Sequence, residues 1–129
     1  MALGGNNLKL RCPLAVTHSM ETVVASPGVS AGDMFRESNV VGVFVNDYAT
    51  GDTGVLIYKA ERIIVPCAVV TTSVNYAVGE PVYFDVADAE VNQTTSGNWL
   101  CGNVLVTPAI GDTEVEIELD GTLNLVLGT

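Results

Sequence analysis

The clearest pattern in the chain is an alternation. In GDTEVEIELDG, Gly111 to Gly121, the acids Glu114, Glu116, Glu118 and Asp120 occupy every second position, with Val115, Ile117 and Leu119 between them. Side chains two apart on a strand share a face, so this spacing predicts a half-buried strand with its acids on one side and its aliphatics on the other. A row of acids about 7 Å apart cannot by itself wrap one cation. The spacing therefore favours a solvated or partner-facing strand face over a metal site. Shorter β-like runs fill the rest of the chain, bounded by turn signals: LKLRC, LAVTHSM, ETVVA, MFR, VVGVFV, TGVLIYKA, RIIVP, PVYFD, WLCGNVLV and LNLVL. No window sustains a 3.6-residue period, and MFRESN bends for one turn at most.

The runs repeat. Sliding Gly42–Ile57 forward by 60 positions lays GVFVNDYATGDTGVLI over GNVLVTPAIGDTEVEI at Gly102–Ile117, with 7 of 16 positions identical and no gap. Each stretch has an upstream Gly-acid pair before an apolar strand. These are Gly32-Asp33-Met34-Phe35 and Gly79-Glu80-Pro81-Val82-Tyr83-Phe84, at an offset of 47, so the extra residues of the second unit fall in its polar loop, ADAEVNQTTSGN. Both units place Gly-Asp-Thr at the end of a turn: Gly51, Asp52 and Thr53, then Gly111, Asp112 and Thr113. Glycine permits positive φ there, and Asp or Thr can accept from exposed backbone amides. The expectation is one β-domain, residues 22–129, containing a duplicated strand–turn–strand unit (about 32–65 and 79–125) and preceded by an N-terminal segment, 1–21.

Composition sharpens this picture. The 129 residues are 48% apolar, enough for one well-filled core, and the abundance of Val, Gly and Pro favours an all-β globule. No window has the length and purity of a membrane span, and MALGGNNLKLRC has no apolar secretory core, so a soluble protein made in a cytoplasm is expected. The three cysteines, Cys12, Cys67 and Cys101, are widely spaced among apolar neighbours without a CxxC pair, which points to reduced, buried thiols and away from zinc.

Charge is unevenly spread. The first 62 residues hold all five basic residues and six acids, net −1; the remaining 67 hold nine acids and no Lys or Arg, net −9. Such a surface repels phosphate backbones and anionic lipid, which argues against nucleic-acid and membrane partners and for a proteinaceous or cationic one. Catalytic signals are weak. His18 is the only histidine and no Gly-x-Ser-x-Gly elbow exists; the Gly-Asp-Thr turns lack a Gly-Lys-Thr and a following helix, so they are read as hairpin turns. No catalytic, cofactor-binding or metal-binding residue is assigned. Trp99, Tyr83 and Phe84 could form a sugar-stacking platform, but Tyr83 and Phe84 must point to opposite faces, which favours packing.

The order TVVASPGVSAGD, VVGVFVNDYATGDTGVLIYKAERIIVP, YAVGEPVYFD, a Thr-rich loop and GNWLCGNVLVTPAIGDTEVEIELDG resembles the small phage proteins grouped as DUF2190, capsid decoration or cement proteins of tailed bacteriophages. The resemblance runs from about Thr22 to Gly121. It implies a compact β-barrel or β-sandwich that sits on the outside of an icosahedral head, usually as a homotrimer, with the major capsid protein as partner and reinforcement of capsid-subunit contacts as its role. A head-fibre or carbohydrate-binding β-module and a small trimeric β-enzyme of dUTPase size are the alternatives. The first needs an exposed aromatic cluster. Against the second stand the acidic half, the single histidine and the lack of an Ala-Gly-x-Asp-Leu pocket pattern.

The N-terminal segment admits two readings. Leu8, Lys9, Leu10 and Arg11 alternate after Gly4-Gly5-Asn6-Asn7, a pattern expected of an arm that orders on the edge of a capsid or sister-subunit sheet. The same alternation suits the first strand of the protein's own barrel.

Overall fold

The computed structural model describes residues 8–37, 39–73 and 75–122, which form nine strands and no helix. The strands are β1 (Lys9–Leu10), β2 (Ala15–Ser19), β3 (Met34–Glu37), β4 (Val40–Phe44), β5 (Val55–Pro66), β6 (Pro81–Asp85), β7 (Glu90–Asn92), β8 (Trp99–Val106) and β9 (Glu114–Asp120). The all-β class expected from the sequence is what the chain adopts. Seven strands in the order β3-β4-β5-β9-β8-β6-β7 make one antiparallel sheet that curls into a nearly closed barrel. A parallel bridge between Cys67 and Val91, with the Ala68 N–H donating to the Val91 carbonyl at 2.9 Å, draws the end of β5 against β7.

β5 organises the whole. Its Leu56 is paired to both His18 on β2 and Phe44 on β4, and its Ile63 to both Leu10 on β1 and Ile117 on β9. The runs TGVLIYKA and RIIVP, separate in the sequence reading, are thus one twelve-residue strand. Two register shifts let its buried positions change phase, one against β2 between Ile57 and Lys59 and one against β9 between Ala60 and Ile63, so that Ile57, Ala60, Ile63 and Val65 all reach the main core. MFRESN does not form a helical turn: Met34–Glu37 is β3.

Most of the barrel interior is aliphatic, with Ile57, Ile63, Val65, Val82, Phe84, Val104, Ile117 and Leu119 at its centre. A smaller cluster of Met20, Val24, Phe44 and Leu56 sits under the loop joining β2 to β3. Cys67 and Cys101 are buried free thiols, as expected; burial pushes Cys67 up to about 11 and Cys101 up to about 12, so both stay protonated and unreactive at neutral pH. Cys12 departs from the expectation. It is only half-buried, its thiol donating to the Leu14 carbonyl at 3.1 Å.

The glycines that begin the two matched stretches have a packing role. A Cβ on Gly42 would lie 2.7 Å from the Ile57 carbonyl oxygen, and one on Gly102 would meet the Glu118 carbonyl oxygen. Only glycine lets the neighbouring strands cross so closely.

Candidate interaction surface

Four turns share one geometry. In Ser30–Asp33, Ala49–Asp52, Ala77–Glu80 and Ala109–Asp112, the last residue's N–H donates to the first residue's carbonyl at 3.0 Å. The first residue's N–H donates to the last one's carboxylate at 2.9 Å. The third residue is always glycine, with φ of 91°, 93°, 89° and 93° in chain order. This is a type II turn, whose third position demands positive φ, closed by the acid that follows. Gly51 and Gly111 supply that φ, Asp52 and Asp112 the acceptor, while Thr53 and Thr113 stand exposed beside them.

The surroundings correspond as well. Val24 donates to the Asp52 carbonyl and accepts from Gly51; Val70 does the same with Asp112 and Gly111. Phe44 exchanges backbone bonds with Gly32 and Asp33, as Val104 does with Gly79 and Glu80. Phe35 pairs with Gly42 and Val82 with Gly102. The second unit's additional β7 comes between β6 and β8 in the chain, where the sequence places its extra residues, and pairs with β6 at the end of the sheet. The units differ in register. Val43 faces Ile57 on β5, whereas Val104 faces Ile117 on β9 and a bulge follows before Val106. Since the turn bonds match, Asp52→Ala and Asp112→Ala are expected to cost equal amounts, about 1 kcal/mol each, in urea unfolding.

The acid row on β9 is a wet face tied down by cations. Val115, Ile117 and Leu119 are buried, and Glu114 and Glu118 are exposed. Lys9 Nζ donates to Glu114 at 2.6 Å, and Arg62 pairs with Glu116. Asp120 accepts from Thr122 N–H at 3.1 Å and Oγ1 at 2.6 Å; burial raises its pKa, but these bonds and nearby Lys59 outweigh that and hold it below the ordinary value. Among the described residues no group of three or more His, Cys, Asp or Glu is placed to hold a metal.

Lys9 and Leu10 form β1 against Ile64 and Ile63 of the chain's own β5, and the Arg11 N–H donates to the Arg62 carbonyl at 2.9 Å. Leu8 and Leu10 are half-buried and pack on the main core, while Arg11 is exposed. Gly4-Gly5-Asn6-Asn7 and all of LNLVL lie outside the described residues. Deleting residues 2–11 is expected to cost roughly 2 kcal/mol in denaturant unfolding, the worth of two half-buried leucines.

His18 and the aromatics have structural partners. His18 Nε2 lies 3.0 Å from Glu37 Oε1, and Glu37 also accepts from the Glu21 N–H, the Thr22 N–H and Thr22 Oγ1. The hydroxyl in this cluster serves Glu37 and not His18, so no nucleophile–base pair forms. Glu37 went unassigned in the sequence, where MFRESN offered only a charge near a turn. Phe84 is buried, and the half-buried Trp99 packs on the core with the Arg36 guanidinium 4.9 Å from its ring centroid. None of the large hydrophobic side chains exposed among the described residues is aromatic, so the described surface offers no stacking platform.

These features define a structural class: a β-barrel with acid-closed turns, strand ties made of ion pairs and scattered exposed aliphatics. The chain belongs to the phage cement protein family, whose model matches residues 15–119, from β2 through Leu119 of β9. It is accordingly a phage structural protein associated with the capsid. No curated protein and no solved structure matches it.

Proposed function

We propose that the protein binds the outer surface of a phage head as a homotrimer and reinforces contacts between major capsid subunits. The observation that carries this reading is the extent of the cement-family match, which takes in the barrel from β2 to β9. A nearly closed barrel held by its own hydrogen bonds suits a part that must dock without refolding, and weak contacts multiply when one site recurs over a closed shell. In this proposal residues 8–21 serve as the first strands of a single domain, the two units are duplicates, and the protein is made in the bacterial host cytoplasm without catalytic activity. The test is electron microscopy of undecorated heads with and without the protein, together with light scattering. Extra density at symmetric positions outside the shell, and a mass about three times 13.5 kDa, are expected. Heads that gain no density would refute the reading.

A further inference from the structure

Because the two units share their turn bonds, each is a reference for the other. The β4–β5 turn carries Asn46, Asp47 and Thr50; sixty positions on stand Val106, the last residue of β8, and Thr107 and Ile110 of the β8–β9 turn. Val106 is 48% and Ile110 71% exposed. The neighbouring Gly-acid turns diverge in the same sense. Ala31 is buried, with its N–H donating to Asp47 Oδ1 at 2.8 Å, whereas its counterpart Val78 is 65% exposed. The polar version of this end makes the same type II turns, so turn geometry does not require the aliphatics, and side chains left about half or more exposed add little to stability.

The three positions occupy one end of the second unit. Gly79 donates to Val104, two residues before Val106 on β8, and β8 leads directly into the turn bearing Ile110. Ile110 and Pro108 also line a cleft with Val70 and Asn75. Glu80 and Asp112 close the turns at this end, while Glu114, two residues after Asp112, is paired with Lys9; no Lys or Arg occurs after position 62.

We infer that this end, with Val78, Val106 and Ile110 at its centre, is the docking surface for the major capsid protein, and that the complementary site there is an apolar depression rimmed by Lys or Arg. The inference rests on the decoration reading above and names the contact. Charge selects this partner over a second copy. Within the chain, Lys9 is paired with Glu114, Arg62 with Glu116, Lys59 lies near Asp120, and Arg36 stands over Trp99. Of the five cations that leaves the exposed Arg11, so a sister subunit has little positive charge to set against an acidic rim, and an anionic lipid surface would repel that rim.

The test uses the full chain, with undecorated heads as the probe. The double variant Val78→Ser/Ile110→Ser is expected to keep its melting temperature and its mass by light scattering but to bind heads about tenfold or more weakly. Val23→Ser, exposed at the corresponding end of the first unit, should bind like the unaltered protein, whose own binding should weaken as ionic strength rises. Unchanged binding by the double variant would overturn the inference, and so would loss of the oligomer, which would make this end a sister-subunit contact. If the unaltered protein itself fails to bind heads, the decoration reading fails and this assignment falls with it.

Discussion

Ile117→Ala is expected to destabilise the protein by about 2–5 kcal/mol, the range for deleting a buried aliphatic side chain. Ile117 is 0% exposed and is paired on one side with Ile63 of β5 and on the other with Val104 of β8. The hole would open at the middle of the sheet, where neighbours fixed in two ladders cannot collapse into it. Its neighbour Glu118 is exposed, so Glu118→Gln should change stability by less than about 0.5 kcal/mol. Glu116→Gln should cost up to about 1 kcal/mol, the worth of a surface ion pair with Arg62. Urea unfolding of the three variants measures all of this, with a constant m-value showing that the denatured state is unchanged. Equal losses for Ile117→Ala and Glu118→Gln would mean that the faces of β9 are misassigned. A domain stable by about 5–15 kcal/mol could lose a large share of its stability to the first substitution alone.

The contrast across β9 shows what was legible in the sequence. TEVEIELD expresses a period of two without interruption, so its buried face could be read directly. The turns were legible for another physical reason: a type II turn needs a glycine at its third position, and these turns use an acid at the fourth, which leaves a short fixed signature. What alternation could not reveal was where strands break phase. The irregularity between Ala60 and Ile63 made one strand look like two, and the bulge before Val106 gave the second unit a register different from the first. Strand β7 was hidden by its size, since Glu90–Asn92 buries only Val91 and sits in a polar loop. Leu8–Arg11 were ambiguous because an alternating segment reads alike whether it pairs with its own β5 or with another chain.

The Glu37 cluster was the feature least accessible to sequence reading, because its partners lie 15 to 19 residues away across a loop. It also carries the second large expected effect. Glu37 is 8% exposed and accepts from two backbone amides, the Thr22 hydroxyl and His18, tying β3 to β2 and to the segment that follows it. Glu37→Ala would leave those donors unpaired, and a loss of about 3 kcal/mol is expected. Burial alone would raise the Glu37 pKa, but the bonds from Glu21, Thr22 and His18 prevail and hold it below 4.5. A carboxyl whose pKa is lower folded than unfolded contributes stability above the unfolded value and loses it as pH falls through the folded one. The native protein should therefore lose stability as the pH drops below about 4.5, and Asp120, also lowered, adds to that loss. Glu90 acts in the opposite sense: burial first, then Asp88 and Asp85, raise its pKa, so its protonation relieves strain as the solution acidifies. Glu37→Gln separates these contributions, because it keeps the side chain's shape and leaves Asp120 and Glu90 in place. Urea unfolding across the acid range should show the variant less stable at neutral pH, with the gap narrowing as pH falls. A gap that stays constant down to the pH of acid unfolding would show that the charge of Glu37 contributes nothing to holding β2 and β3 together.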